Sequence, residues 1–342
     1  MQQEASSSFF TVSNQFIADW LLALQSRCTD DHYRSLLERS DLAICQMGSQ
    51  GRVTLDQIVC LYQLAAVETG DEMMGLWSRP IRPRALQHLL TSVREATSLA
   101  SALYRFSTFW NLLLDDYERV LSEDSDALTL ALKPYGDQVA QRFGHMLILK
   151  LAHGLLSWLA RQEVPVKSVG FAFDRPAFAE DYAVIFPAHV HFAQPVTSIS
   201  FDKSDLGPGH ARATGDLHTF LRNAPRDWIF TRSSTHRQAL RVRSYISKSG
   251  WERAQLADAA RALHMTPRTL IRKLEQDGTS FQAIKDALRR DLAIAHLQTG
   301  GESIEAIAHF VGFSSAASFH KAFVRWTGNT PSTYRRKPTV SH

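Results

Sequence analysis

Between residues 254 and 326 the sequence twice spells one local arrangement: two short amphipathic helices joined by an abrupt turn. Residues 254–276 form the first unit and residues 303–326 the second. In the first, Leu256, Ala259, Ala260, Leu263, Leu270 and Leu274 recur at helical spacing and supply an inner face. In the second, Ile304, Ile307, Ala308, Phe319, Phe323 and Trp326 do the same. Each turn needs a residue that tolerates positive φ. Gly312 meets that need, and His264 meets it less well, although histidine is among the tolerated exceptions. Thr266-Pro267 starts the second helix of the first unit with a hydroxyl cap and a proline at the first helical position. A capping box at Thr279-Ser280-Phe281-Gln282 opens a longer helix between the units, with Phe281, Ile284, Leu288 and Leu292 on one face.

Charge separates this region from the rest. Residues 231–342 carry 18 Lys+Arg against 8 Asp+Glu, a net of +10, and residues 1–230 carry 20 against 26, a net of −6. A basic domain on a mildly acidic one is the electrostatic footprint of a polyanion partner. Pattern and charge alone also fit a helical bundle with a solvated basic face. If the units are helix-turn-helix modules, their second helices face a major groove with Arg268, Thr269, Ile271, Arg272 and Lys273 in one, and Ser315, Ala316, Ser318, His320 and Lys321 in the other.

The first 230 residues read as mixed α+β. Helices are expected over 54–69, opened by the capping box Thr54-Leu55-Asp56-Gln57, over 99–114 and over 138–160. Strands are expected at 117–121 and 127–132 as a hairpin, at 166–173, and at 189–192 and 196–201 as a further pair. The domain boundary is placed near Thr231, giving domains 1–230 and 231–342.

Other chemistry is thinly represented. Cys28, Cys45 and Cys60 form no C-x-x-C pair, so no zinc or disulfide framework is expected, and a reducing cytoplasm is the natural setting. The start is polar, and the apolar stretch 146–159 is interrupted by Lys150 and His153, so neither a signal peptide nor a membrane span is expected. His189 and His191 share a strand face without a convincing third ligand, so no metal is expected. Asp115 and Asp116 show no acid/base arrangement, and no nucleophile elbow, phosphate loop or H-E-x-x-H occurs; no catalytic residue and no cofactor are expected. Arg79, Arg82 and Arg84 fit either an anion or a solvated loop. Phe106, Trp110 and Trp158 are candidates to line an effector pocket, although core packing alone explains most such aromatics.

The wording of the second unit goes further than its periodicity. Ile307-Ala308, Gly312-Phe313-Ser314-Ser315, Phe319, Ala322-Phe323, Thr327-Gly328, Pro331 and Tyr334-Arg335-Arg336 resemble the signature of the AraC/XylS family of transcription regulators. Leu263-His-Met-Thr-Pro-Arg-Thr-Leu-Ile-Arg-Lys-Leu274 is similar to that family's first unit. More weakly, 169–206 resembles the arabinose-binding-like sensing domain of the ornithine-regulator subgroup. The resemblance implies an all-α domain of seven helices, with two helix-turn-helix units entering successive major grooves, behind an α+β effector-sensing domain. By position it implies that Arg268, Ile271 and Arg272 face bases in one groove, and Ala316, Ser318, His320 and Lys321 in the other. Thr266, Thr269, Lys273, Ser315 and Arg325 would contact phosphate or position the helices. Ala316 and Ala317 depart from the polar residues common there, so the second helix would read fewer bases or a thymine methyl. The resemblance further implies double-stranded DNA and RNA polymerase as partners, a homodimer, a small-molecule effector of unknown identity, and activation of transcription. Against that stand a ligand-independent repressor or architectural protein, and an enzyme fused to a DNA-binding module, which would need a reactive cysteine or a metal.

Overall fold

The computed structural model describes residues 11–42, 51–136, 141–186, 188–208, 214–229, 238–251, 254–276, 279–299 and 301–335. In chain order the elements are β1 (Thr11–Ser13), α1 (Ala18–Gln25), α2 (Asp30–Arg39), β2 (Arg52–Thr54), α3 (Leu55–Glu68), α4 (Ala85–Arg94), α5 (Leu99–Leu113), β3 (Tyr117–Glu123), β4 (Ala127–Pro134) and α6 (Arg142–Ala160). There follow β5 (Ser168–Gly170), α7 (Tyr182–Ile185), β6 (His189–His191), β7 (Thr197–Asp202), α8 (Thr214–Arg222) and α9 (Arg226–Ile229). The C-terminal helices are α10 (Gln238–Ser249), α11 (Leu256–Ala262), α12 (Pro267–Gln276), α13 (Phe281–Thr299), α14 (Ile304–Phe310), α15 (Ala316–Thr327) and α16 (Pro331–Tyr334). They gather into two compact units: residues 1–14, 41–58 and 233–342 in one, residues 15–40 and 59–232 in the other.

The second of these is the α+β unit. Its five-stranded sheet runs β3-β4-β7-β5-β6. In β7, Thr197, Ile199 and Phe201 are buried while Ser198, Ser200 and Asp202 are half-buried, the period-two pattern of a sheet with one face on the core. Leu130 pairs with Ile199 and Leu128 with Phe201, so the apolar rows of β4 and β7 align. The β3–β4 turn is shorter than expected, because Ser122 and Glu123 pair with Thr129 and Leu128 and Asp124 Oδ1 accepts from the Asp126 and Ala127 amides at 2.8 and 2.7 Å. The expected pairing of 189–192 with 196–201 is corrected. β5 lies between them, antiparallel to β7 and parallel to β6, because Ser168–Gly170 takes up the β7 edge through the Ser168–Ser200, Val169–Ile199 and Gly170–Ser198 pairs. His189 and His191 stand exposed on that outer strand.

Helix α6 is buried on nearly all sides. It is long and apolar enough to cross a membrane by length and composition, and here it is the core helix. Gly154 lets α9 approach: a Cβ there would meet Trp228 Cα at 2.7 Å. Several polar groups of α6 find partners inside the unit, although His145 Nε2 is buried without one. His145 Nδ1 bonds Thr197 Oγ1 at 2.8 Å. His153 Nε2 lies 2.9 Å from the Val164 carbonyl, which can only accept, so Nε2 carries the proton and Nδ1 accepts from Lys150 Nζ at 2.8 Å. Burial drives the Lys150 ammonium down to about 7, against a smaller upward pull from Glu163.

Among the described residues the other unit holds the helices α10–α16, with a shared core of Val242, Ile246, Leu270, Leu274, Leu288, Ile294, Ile307, Phe319 and Phe323. It also takes in the strand pair β1–β2, registered Thr11–Thr54, Val12–Val53 and Ser13–Arg52. These compact units do not coincide with a single division at 230/231. Residues 11–14 and 51–58 join the helical unit because Thr11 and Arg52 hydrogen-bond to its helices, while the junction near Thr231 lies outside the described residues. Short strands of three residues carry almost no periodicity, and the expected strands, which begin at residue 117, do not include them.

Candidate nucleic-acid interface

Both helix pairs close with the same six-residue turn. In the first, the Met265 amide donates to Ala260 O at 2.8 Å and the His264 amide to Arg261 O at 3.1 Å, with His264 at φ 56°. In the second, the Phe313 amide donates to Ala308 O at 2.9 Å and the Gly312 amide to His309 O at 2.9 Å, with Gly312 at φ 81°. This is the Schellman ending of a helix, in which one residue takes left-handed backbone and two otherwise unpaired carbonyls are satisfied. His264 adopts the strained conformation that its place in the sequence demands.

The second helix of each pair then starts from a hydroxyl cap. Thr266 Oγ1 accepts from the Thr269 amide at 3.2 Å and lies 2.9 Å from Thr269 Oγ1. Ser315 Oγ accepts from the Ser318 amide at 3.3 Å and donates to Ser318 Oγ at 3.0 Å. The first turns of α12 and α15 are thus built alike, with Leu270 and Leu274 pointing inward on one and Phe319, Ala322 and Phe323 on the other, all buried.

The outward residues of both helices include those singled out in the sequence, with Glu275 and Ala317 exposed beside them. Arg268, Ile271, Arg272 and Lys273 are exposed on α12, and Ser318, His320, Lys321 and Arg325 on α15; Thr269 and Ala316 are half-buried beside them, and Thr266 and Ser315 sit exposed at the caps. Ile271, 42% exposed, is a large apolar residue left facing solvent. Arg268, Arg272 and Lys273 lie within two turns of a single helix, a concentration of cation on one face. Arg325 leans toward Asp286, 3.9 Å away, so its charge is partly engaged within the domain.

Sequence reasoning passed over the residues that hold the two pairs in place. Lys285 and Arg289 stand four apart on α13, one turn of one helix face. Lys285 Nζ donates to Ala254 O at 2.9 Å, at the start of the first unit. Arg289 Nε donates to Val311 O at 3.0 Å and Nη2 to Gly312 O at 3.1 Å, in the turn of the second. Its guanidinium also lies over Trp251 at 5.1 Å and Phe313 at 4.9 Å. Burial lowers both cations below their ordinary values, and for Lys285 the neighbouring Arg289 adds to it. The i, i+4 spacing of two cations was the available signal, and it reads equally well as a solvated helix face. The cap of α13 falls on Ser280, whose Oγ accepts from the Ala283 amide at 3.1 Å, one residue after the expected Thr279.

The pocket candidates are not brought together on a surface. Phe106 and Trp110 are fully buried, edge to face at 6.2 Å, and Trp158 stacks on Phe220 at 5.1 Å. A groove of about 500 Å³ opens instead between α5 and the β3–β4 end of the sheet, lined by Ser101, Tyr104, Leu121, Glu123, Leu128 and Lys203. Lys203 Nζ and Glu123 Oε1 pair across its rim at 2.5 Å.

Two basic, hydroxyl-capped helices on one helical frame, carried in a chain with an α+β unit, define a DNA-binding transcription regulator with a sensing domain. Residues 32–208, more than half of the chain, match the family described as the arabinose-binding domain of AraC transcription regulator, N-term, and residues 259–337 match a helix-turn-helix domain. The chain belongs to the AraC family of transcription regulators. It is 27% identical over 248 residues to the ornithine utilization regulator of Pseudomonas aeruginosa, covering 72% of this chain and 73% of that one. It is 36% identical over 97 residues to the urease operon transcriptional activator of Escherichia coli, 28% of this chain and 33% of that one. Among solved structures, transcriptional regulator CdpR from Pseudomonas aeruginosa covers 94% of this chain at 19% identity with a TM-score of 0.30, and family membership follows from the sequence matches alone.

Proposed function

We propose that the chain is an effector-responsive activator that grips two successive major grooves with α12 and α15. The observation that carries this reading is the identical construction of the two outward helices, each launched from a Schellman turn and a hydroxyl cap. Arg268 and Arg272 match guanine O6 and N7 through their planar forks, and Ile271 matches a thymine methyl. On α15, Ser318, His320 and Lys321 reach base edges while Ala316 offers only a methyl contact. Thr266, Thr269, Lys273, Ser315 and Arg325 take phosphates, which set register without carrying sequence information. The protein acts by binding rather than catalysis, in the cytoplasm, as a homodimer in contact with RNA polymerase.

The effector belongs to the α+β unit. The groove between α5 and the sheet suits a small molecule with an apolar body and a charged end, because Leu121, Leu128 and Tyr104 lie beside the Lys203–Glu123 pair. The relative's name makes ornithine the first probe to titrate. A ligand shifts the regulator only if it binds one of two states better.

Hydroxyl-radical footprinting on the duplex that the full chain enriches from a random pool tests the DNA reading. Two protected patches on one face, about one helical turn apart, are expected. One patch, or uniform protection, contradicts engagement by both helices.

A further inference from the structure

One buried carboxylate ties the N-terminal strand pair to the DNA-binding helices. Asp291, on α13, is 2% exposed. It accepts from Thr11 Oγ1 of β1 at 2.5 Å, from Arg243 Nη2 of α10 at 2.9 Å and from Arg290 Nε at 3.1 Å. Thr11 is in turn gripped by Arg52 of β2, whose Nε donates to Thr11 Oγ1 at 2.9 Å and whose Nη2 donates to Thr11 O at 2.6 Å. The Arg52 amide donates to Tyr334 Oη of α16 at 2.9 Å, and the Tyr334 ring meets Phe323 of α15 edge-on at 5.3 Å. The hydroxyl of Thr11 thus accepts from one partner and donates to the next, and contacts run unbroken from α10 and α13 through both strands to α16 and the second outward helix.

Such a network is a costly way to fill space. Burying one carboxylate among cations requires nearly every hydrogen bond to be met, and an apolar cluster would hold the helices at least as tightly. What charge-assisted bonds add is direction: they fix angles that packed methyls leave free. Burial pushes the Asp291 carboxyl up, but Arg290, Arg243, Arg52 and the Thr11 hydroxyl outweigh it and hold the group below its ordinary value. α13 separates the two helix-turn-helix pairs and, through Lys285 and Arg289, holds one end of each. Its orientation therefore governs their separation.

We infer that Thr11, Arg52 and Asp291 are positioning residues for DNA reading: the strand pair β1–β2 clamps α13 in the orientation that sets the spacing between α12 and α15. The inference rests on both helices engaging DNA. It assigns a role in the reading head to residues more than 180 positions before it in the chain, which nothing in the domain's own signature includes.

The test compares full-length wild type, Thr11→Val, Thr11→Ser and Arg52→Gln. The probes are the duplex enriched by wild type from a random pool, the same duplex with one base pair inserted between the two protected patches, and versions with either patch scrambled. Thr11→Val and Arg52→Gln should lose about tenfold or more on the intact duplex, lose the preference for native spacing, and bind single-patch duplexes about as wild type does, because simultaneous engagement fails when geometry forbids it. Thr11→Ser, which keeps the hydroxyl, should behave as wild type. Unchanged affinity and spacing preference in both variants overturn the clamp. Equal loss on intact and single-patch duplexes overturns it too, because that pattern is ordinary destabilisation. A wild type that enriches no duplex overturns the two-groove reading itself, and the clamp with it.

Discussion

The guanidinium of Arg289 donates to the carbonyl of Gly312 at 3.1 Å, and the same side chain donates to Val311 O at 3.0 Å, so one residue of α13 secures the turn of the second helix pair. Two charge-assisted bonds and stacking on Trp251 and Phe313 end with the side chain. Arg289→Met should cost about 2–4 kcal/mol in urea unfolding, and Arg289→Lys should recover only part of it, because an ammonium lacks the fork and the stacking plane. A variant as stable as wild type would show that the turn holds itself.

Gly312 is confined twice over. At φ 81° an L side chain is strained, and a Cβ would lie 2.7 Å from Trp251 Cγ, whose indole is itself held by its Nε1 bond to Phe310 O at 2.7 Å. Gly312→Ala should therefore destabilise by roughly 2–4 kcal/mol, more than the ~1 kcal/mol of backbone strain alone. The mirror experiment is His264→Gly in the first turn, at φ 56°, which relieves strain and should leave stability unchanged or raise it by up to ~1 kcal/mol. Chemical denaturation of the two variants, read side by side, checks both signs.

The buried Lys150 makes stability depend on pH. Its folded-state value, about 7, lies below the 10.5 of an unfolded lysine, so between those values the unfolded chain binds the extra proton. Stability then rises as pH increases from 7 toward 9, by a slope of up to about 1.4 kcal/mol per pH unit for this group. Lys150→Met should flatten that rise, whatever it does to absolute stability by leaving His153 Nδ1 without its donor. A urea midpoint series at pH 7, 8 and 9 reads this directly; equal slopes in both proteins would contradict the assignment.

Base readers and phosphate contacts separate by how they fail. Arg268→Ala and Arg272→Ala should each cost about 1–3 kcal/mol on the preferred duplex and relax preference at one or two base pairs. Lys273→Ala should weaken all duplexes alike and reduce the salt slope by about 0.9. Ala316→Ser should alter preference little, since Ser315 and Ser318 already occupy the cap. If Arg268→Ala lowers affinity for random duplex as much as for the preferred one, Arg268 is a phosphate contact.

Much of this was legible in the sequence where local chemistry decides structure. Thr54 and Gln57 close the expected capping box reciprocally, the Thr54 amide donating to Gln57 Oε1 at 2.8 Å and the Gln57 amide to Thr54 Oγ1 at 3.2 Å. Gly312, Ser315 and the apolar row of α15 announced the second helix pair in the same way. What stayed hidden depends on partners distant in sequence. Thr11 meets Asp291 across 280 residues, and no local pattern in a three-residue strand points there. The β7–β5–β6 order escaped because sequence neighbours were assumed to pair. The aromatic side chains of α5 and α6 offered no means of telling core from pocket, and Phe106 and Trp110 proved to be core.

The most direct test is a fluorescence anisotropy titration of the full chain on the duplex it enriches from a random pool and on scrambled duplex, at two salt concentrations, alongside Arg268→Ala/Lys321→Ala. The account predicts tighter binding to the enriched duplex, a negative salt dependence, and loss of about tenfold or more of that preference in the variant. Equal affinity of wild type for enriched and scrambled duplex, or a variant that discriminates as well as wild type, would contradict base reading by α12 and α15.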